Sequence, residues 1–523
     1  MAWYRIGQGG TILYRSRGPR FNSKNVERPE IHMKTAINGS WVVAWRNGQH
    51  QVLEGGTVIY EDNKIVFVGN PNDPACPKAD KTIDARGKLV SPGLINLHCI
   101  ANLDLQPIRM DMPNPPGYNR PPSIIDPDTP HILSDEDLRT SAEFSVVTLL
   151  KLGSTSFGAV TTGMTKGFED PKEEPHALAE ASLKYGARAW LGHMYHERCD
   201  YTDIGGSLVS KWDSRRGRQG LDHAVEFVKY LEGNGRGLVT GMLFPSQSAK
   251  CSDDLLKETM RQAQLLGGVH VRTHFSEYLP EYQEFKSEHP NQTMVEWLQS
   301  LGFVGPNVCL THALYIAGHS STGAGPGRDL EILRDTGTSV CHCPWVFARS
   351  GVFMESFSRY VAAGVNVGIG NDSFPPDLIE EMRLGALTNK VVDRSRAAGT
   401  VREIYNAATI YGAKALGRED LGRLAPDCTA DITVFDLSHL AAGPVDDPMR
   451  VLIHTASGRD TDMVIVDGKT VVEQGRVVGV DEEALWAKTQ QTFLRYKANW
   501  VGLDWAKRSS DELYPPVMPI IRG

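Results

Sequence analysis

The chain has 523 residues, 41% hydrophobic and 23% charged, with a formal net charge of −8. That composition can fill a large buried core, and its acidic balance argues against nucleic acid or an anionic membrane as a partner, because both call for a basic surface. The eight cysteines are scattered without a CxxC pair, as in a reducing compartment, and Met1-Ala2-Trp3-Tyr4-Arg5 opens no apolar signal core, so a cytoplasmic protein is expected.

Residues 1–90 are rich in short runs of β-branched and aromatic residues at 10–14, 40–45, 56–60 and 64–69, separated by turn residues such as Asp62-Asn63. This portion is predicted to be all-β. From residue 91 the pattern changes to short apolar strands alternating with helical stretches. Strands are predicted at 93–97, 154–158, 187–191, 238–242, 269–273, 308–311, 339–342 and 366–370. Helices are predicted between them at 136–152, 174–185, 221–232 and 253–266. Eight strands alternating with helices predict an α/β fold, a (β/α)8 TIM-like barrel over 91–420. Strand signals return over 421–480, at 430–435 and 462–466, with a turn at Asp467-Gly468. The two all-β portions flank the barrel and are expected to form one small β-sandwich domain from both ends of the chain. Residues 481–523 read as a helix and an irregular tail. The proline-rich stretch 107–135 follows the first barrel strand, where loops border an active site, and is read as a lid.

Four short motifs stand in order at the ends of predicted strands. They are Ser91-Pro92-Gly93-Leu94-Ile95-Asn96-Leu97-His98, Thr273-His274-Phe275-Ser276-Glu277, Leu310-Thr311-His312-Ala313 and Gly370-Asn371-Asp372-Ser373. A lone His at a strand end is ordinarily a core residue, and a lone Asp before Ser is ordinarily a helix cap. Four such positions in barrel order, each at the same end of its strand, bring His98, His274, His312 and Asp372 to one mouth. Neutral imidazole and carboxylate suit a single divalent ion, zinc first, with iron, cobalt or manganese as alternatives. Glu277, three residues after His274, is placed to shuttle protons between a water and a leaving group. His193 and His196 follow the third strand and are candidates for substrate contact, with a core or surface role equally open. Gly323-Ala324-Gly325-Pro326-Gly327 lacks the Lys-Ser/Thr ending of a phosphate-binding loop.

Over 53–480 the motifs resemble the amidohydrolase superfamily, in the branch of cytosine deaminase, guanine deaminase and the triazine hydrolases. The Pro-Gly-Leu-Ile run before His98, the Thr-His-x-x-Glu element, His342-Cys343-Pro344, the Asp-Ser element and the closing strand 462–468 carry the resemblance. It implies metal ligands at His98, His274 and Asp372, with Asp372 also taking a proton from the attacking water. It places His312 beside the metal, polarising the substrate or binding the ion weakly, and makes Glu277 the proton shuttle. The chain departs from the family at Ile100, where the strand-one His-x-His motif has its second His. Cys99 is expected to face away, and Asn102 lies further along the inward face. Trp345 and Phe347 replace a common Ser-Asn pair, and Arg272 stands two residues before His274 on the inward face. These positions imply a more apolar or differently charged substrate pocket, or simply packing. The resemblance implies a hydrolase cleaving a C–N bond, or in some members C–Cl, in a small heteroaromatic substrate. Amide, urea or carbamate hydrolysis is one alternative, and a non-catalytic ligand-binding barrel is another. A homo-oligomer is expected from the habits of such barrels.

Overall fold

The computed structural model describes residues 33–103, 121–126, 129, 131–161 and 167–521. The strand expected at 10–14 and most of the stretch expected to form a lid lie outside the described residues. Eight strands form one parallel sheet in chain order: Leu94–Ile100 (β1), Ser154–Val160 (β2), Arg188–Tyr195 (β3), Val239–Pro245 (β4), Val271–Phe275 (β5), Val308–His312 (β6), Ser339–His342 (β7) and Val367–Ile369 (β8). Each overlaps a strand read from the sequence.

Side chains alternate across each strand. On β3, Trp190 and Met194 join Leu97, Met242 and Cys341 in an apolar cluster that fills the barrel. Ala189 and Leu191 point the other way, into a cluster shared with the outer helices. Those helices include Asp135–Lys151 (α1), Glu173–Tyr185 (α2), Ser214–Asn234 (α3) and Asp253–Leu265 (α4). Local chemistry sets their ends. Ser134 caps α1 in a reciprocal box with Asp137, and α2 stops at Gly186, whose φ of 74° is the left-handed conformation glycine adopts freely.

The barrel closes where its last strand meets its first. The Asp372 amide donates to the His98 carbonyl at 3.0 Å, and the Ile100 amide donates to the Asp372 carbonyl. Gly370 permits this approach, since a Cβ there would lie 2.5 Å from the His98 carbonyl oxygen. On β1 the register to β2 shifts between Asn96 and Cys99, as a bulge does. The shift lets the consecutive residues Leu97 and His98 both serve the barrel interior. Cys99 turns outward among Val146, Leu149 and Leu150 of α1, while Ile100 packs back against the interior cluster.

The small domain is a nine-stranded mixed sheet built from both ends of the chain. Its seam is Ile432–Asp436 running antiparallel to Lys81–Pro92. Arg188, on the first residue of β3, ties the barrel to this domain. Its guanidinium grips Asp431 with two bonds, at 2.8 and 3.1 Å, and reaches Asp467 at 3.1 Å. Arg188 and Asp431 side chains are each 2% exposed, so the pair is shielded from solvent. All eight cysteines are free. Among the described residues, no helix is long and apolar enough to cross a membrane.

Removing one partner of a buried ion pair leaves an uncompensated charge. Asp431→Ala is therefore expected to lower unfolding free energy by about 3 kcal/mol, read as a lower urea midpoint. A midpoint equal to that of the parent protein would show that Asp467 alone satisfies Arg188.

Candidate metal centre

His98 from β1, His274 from β5, His312 from β6 and Asp372 just after β8 converge at the C-terminal mouth of the barrel. One ligand atom from each lies within 4.8 Å of the other three. His98 Nε2 sits 2.9 Å from Asp372 Oδ1 and 3.2 Å from His274 Nε2. Both His274 Nε2 and His312 Nε2 lie 3.9 Å from the same carboxylate oxygen. His274 Nδ1 is 2.7 Å from the Ser246 carbonyl. A carbonyl only accepts, so Nδ1 carries the proton and the Nε2 lone pair faces the centre. Both ring nitrogens of His312 are buried without a hydrogen-bond partner among the described residues. Leaving such groups unsatisfied costs about 1–3 kcal/mol each. A divalent cation among the four donors would remove the crowding of the lone pairs and supply a partner for His312 Nε2, so the donor set fits the ion.

Burial holds the His98 and His312 imidazoles well below the usual histidine range, and it lowers His274 too. Neutral imidazole is the form that binds a metal. Glu277 is pushed up to about 8, first by burial and then by the Asp372 carboxylate. Its Oε1 lies 4.0 Å from His312 Nε2. The backbone is strained here: Ser276, His312, Ala313 and Asp372 have φ of 45°, 77°, 46° and 59°. Non-glycine residues held in that region cost on the order of 1–3 kcal/mol each and gather at functional sites.

The other residues singled out by sequence divide into two groups. Phe347 sets its ring edge against His312, with centroids 4.7 Å apart, and so walls the centre. The Trp345 amide donates to buried Glu381 beside it. Arg272 is 2% exposed inside the barrel and donates to the Gly158 carbonyl at 3.0 Å. Asn102 lies beyond β1 and donates to Glu174 at 3.3 Å. His193 and His196 are not brought to the four ligands by any contact seen. His193 has the same parity as Ala189 and Leu191, so it faces the helix layer and meets Glu169 at 3.3 Å. The His196 ring lies 2.7 Å from the Gly167 carbonyl. Sequence reasoning missed Ser246, which orients His274 through its backbone oxygen. No side-chain signal could have flagged it.

A parallel eight-stranded barrel with three imidazoles and an aspartate at its C-terminal mouth defines a protein able to hold a divalent cation at that mouth. The model of the amidohydrolase family matches residues 89–471. The chain belongs to that family. It is 30% identical over 442 residues to a 5'-deoxyadenosine deaminase of Methanosarcina acetivorans, covering 82% of this chain and 91% of that protein. Its fold is similar to that of an adenosine deaminase from Xanthomonas campestris with bound zinc. The TM-score is 0.71 at 21% identity, covering 89% of this chain and 98% of the other. It is equally similar to atrazine chlorohydrolase from Arthrobacter aurescens TC1 complexed with zinc. There the TM-score is 0.70 at 22% identity, covering 88% of this chain and all of the other.

Ile100 packs inward two residues beyond His98, as the family's second strand-one His would. Ile100→His is expected to tighten zinc binding, measured by competition with a chromophoric chelator. Unchanged affinity would mean that the side chain at 100 does not reach the ion.

Proposed function

We propose that this chain is a deaminase of adenine-containing nucleosides that uses one divalent ion, zinc first among the candidates. The observation that carries the reading is the convergence of His98, His274, His312 and Asp372 with protonatable Glu277 at their edge. The substrate class rests on the 5'-deoxyadenosine deaminase, which matches most of both chains.

His98, His274 and Asp372 would hold the ion, with His312 beside it. When bound, such an ion acts as a Lewis acid and brings the pKa of water toward neutrality. Asp372, on a strained turn that fixes its carboxylate, takes the proton from the attacking water. Burial disfavours the charged form of Glu277, and it donates a proton to the departing nitrogen. His312 steadies charge on the purine ring. Phe347 keeps its imidazole in place and excludes bulk water from that side. Arg272, Trp345 and Asn102 shape the surroundings: Arg272 from below, Trp345 on the short helix Pro344–Ala348 after β7, and Asn102 from the segment after β1. A small molecule is thus the partner this site requires.

The direct test offers zinc-loaded protein adenosine, 5'-deoxyadenosine and other 5'-substituted adenosines, following ammonia release and the shift of the adenine ultraviolet band. Turnover with stoichiometric ammonia supports the proposal. Hydrolysis confined to ureas, amides or chlorotriazines, or zinc binding with no turnover on any of them, overturns it. In the active system, Glu277→Gln should retain the metal while kcat falls about 10²–10⁴-fold. Loss of the metal in that variant would make Glu277 a ligand instead. Asp372→Asn should abolish turnover with the circular dichroism spectrum unchanged, and normal activity there contradicts its role.

A further inference from the structure

A second cluster of donors lies on the opposite face of the barrel wall. His193 comes from β3, His223 from α3, and Glu169 from the loop between β2 and α2. One ligand atom from each lies within 4.8 Å of the other two. Glu169 Oε2 is 2.6 Å from His223 Nδ1 and 3.3 Å from His193 Nε2. The parity of β3 places this cluster between strand and helix, outside the barrel that holds the first centre.

We propose that Glu169, His193 and His223 form a second site for a divalent transition-metal cation of the zinc type. Four-coordinate zinc with bonds of about 2.0–2.1 Å sets neighbouring donors about 3.3 Å apart. The His193–Glu169 separation already matches that edge, and the His223–Glu169 contact needs only to open slightly. Two imidazoles and one carboxylate are a sufficient protein set for zinc and leave a fourth position for water. The cluster is shielded but reachable: His193 is 2% exposed, His223 17% and Glu169 14% at their side chains. Lys172, whose charge reaches His193, is itself paired with Glu226 at 3.7 Å.

The three ligands belong to three separate elements, 24 and 54 residues apart in sequence. Glu169 also forms a backbone bridge with Tyr195 at the end of β3, and it packs over Gly220 of α3. A cation here pins Glu169 to the strand and helix that follow, beside the mouth of the barrel. The site is a staple, separate from the hydrolytic chemistry.

The experiment strips the full-length protein with a chelator, reloads it with Zn2+ alone, dialyses it and measures zinc per chain by elemental analysis. Glu169→Gln and His223→Ala are each expected to hold one equivalent fewer than the parent protein. His274→Ala with Asp372→Asn reports the first centre independently, so the two sites fail or succeed separately. Variants at 169 and 223 that bind as much zinc as the parent overturn the proposal. Should those variants not fold, Co2+ titration of the parent protein decides. Two absorption phases, one of them surviving in the His274→Ala/Asp372→Asn protein, support the second site. A single phase that disappears in that protein overturns it.

Discussion

Two backbone hydrogen bonds between the first barrel strand and the segment just after the last govern the rest of the molecule. They join His98 and Ile100 to Asp372, and they close the barrel at the point where the ligands meet. Closure and site assembly are therefore one event. His98 cannot meet Asp372 unless β8 returns to β1, and β8 cannot return that closely without glycine at 370. The bulge on β1 belongs to the same arrangement. Without it, His98 would take the parity opposite to Leu97 and leave the interior.

The cost of this convergence is visible in the electrostatics. Three imidazoles are withdrawn from water and kept neutral, with one carboxylate among them. Four non-glycine residues are held in left-handed backbone conformations at the ends of β5, β6 and β8. A packed barrel can hold such strain because its interior is filled by side chains from most of its strands. The same burial that favours the neutral imidazoles raises Glu277, so one environment favours the uncharged form of both kinds of group. Opposite demands on neighbouring groups are thus met by a single physical cause.

The small domain is coupled to the barrel at the far end of the strands. Arg188 opens β3 and locks onto Asp431 and Asp467, while β3 ends seven residues later at Tyr195 near the mouth. A rigid strand thus links the buried ion pair at one end to the region of Glu169, His193 and His223 at the other. The seam between Lys81–Pro92 and Ile432–Asp436 makes the two chain ends interdependent, so the barrel sits between segments that must pair before the domain exists.

The sequence by itself determined the element order, because strand and helix patterns are local. It also pointed to the four donors that converge, His98, His274, His312 and Asp372, since each sits at the end of an apolar strand and barrel topology sends those ends to one rim. Once His98 is taken as facing in, alternation makes Cys99 face away and Ile100 face in, but alternation from Leu97 gives the opposite result, and only the bulge resolves it. The tertiary structure decided what depends on distant residues. The bulge beneath His98 arises from pairing with β2, and the tautomer of His274 from the Ser246 carbonyl just after β4. The orientation of His193 toward α3, away from the mouth, follows from strand parity set by packing on both faces. Its meeting with Glu169 and His223 spans segments with no shared sequence signal, because three-dimensional proximity, not spacing along the chain, creates it.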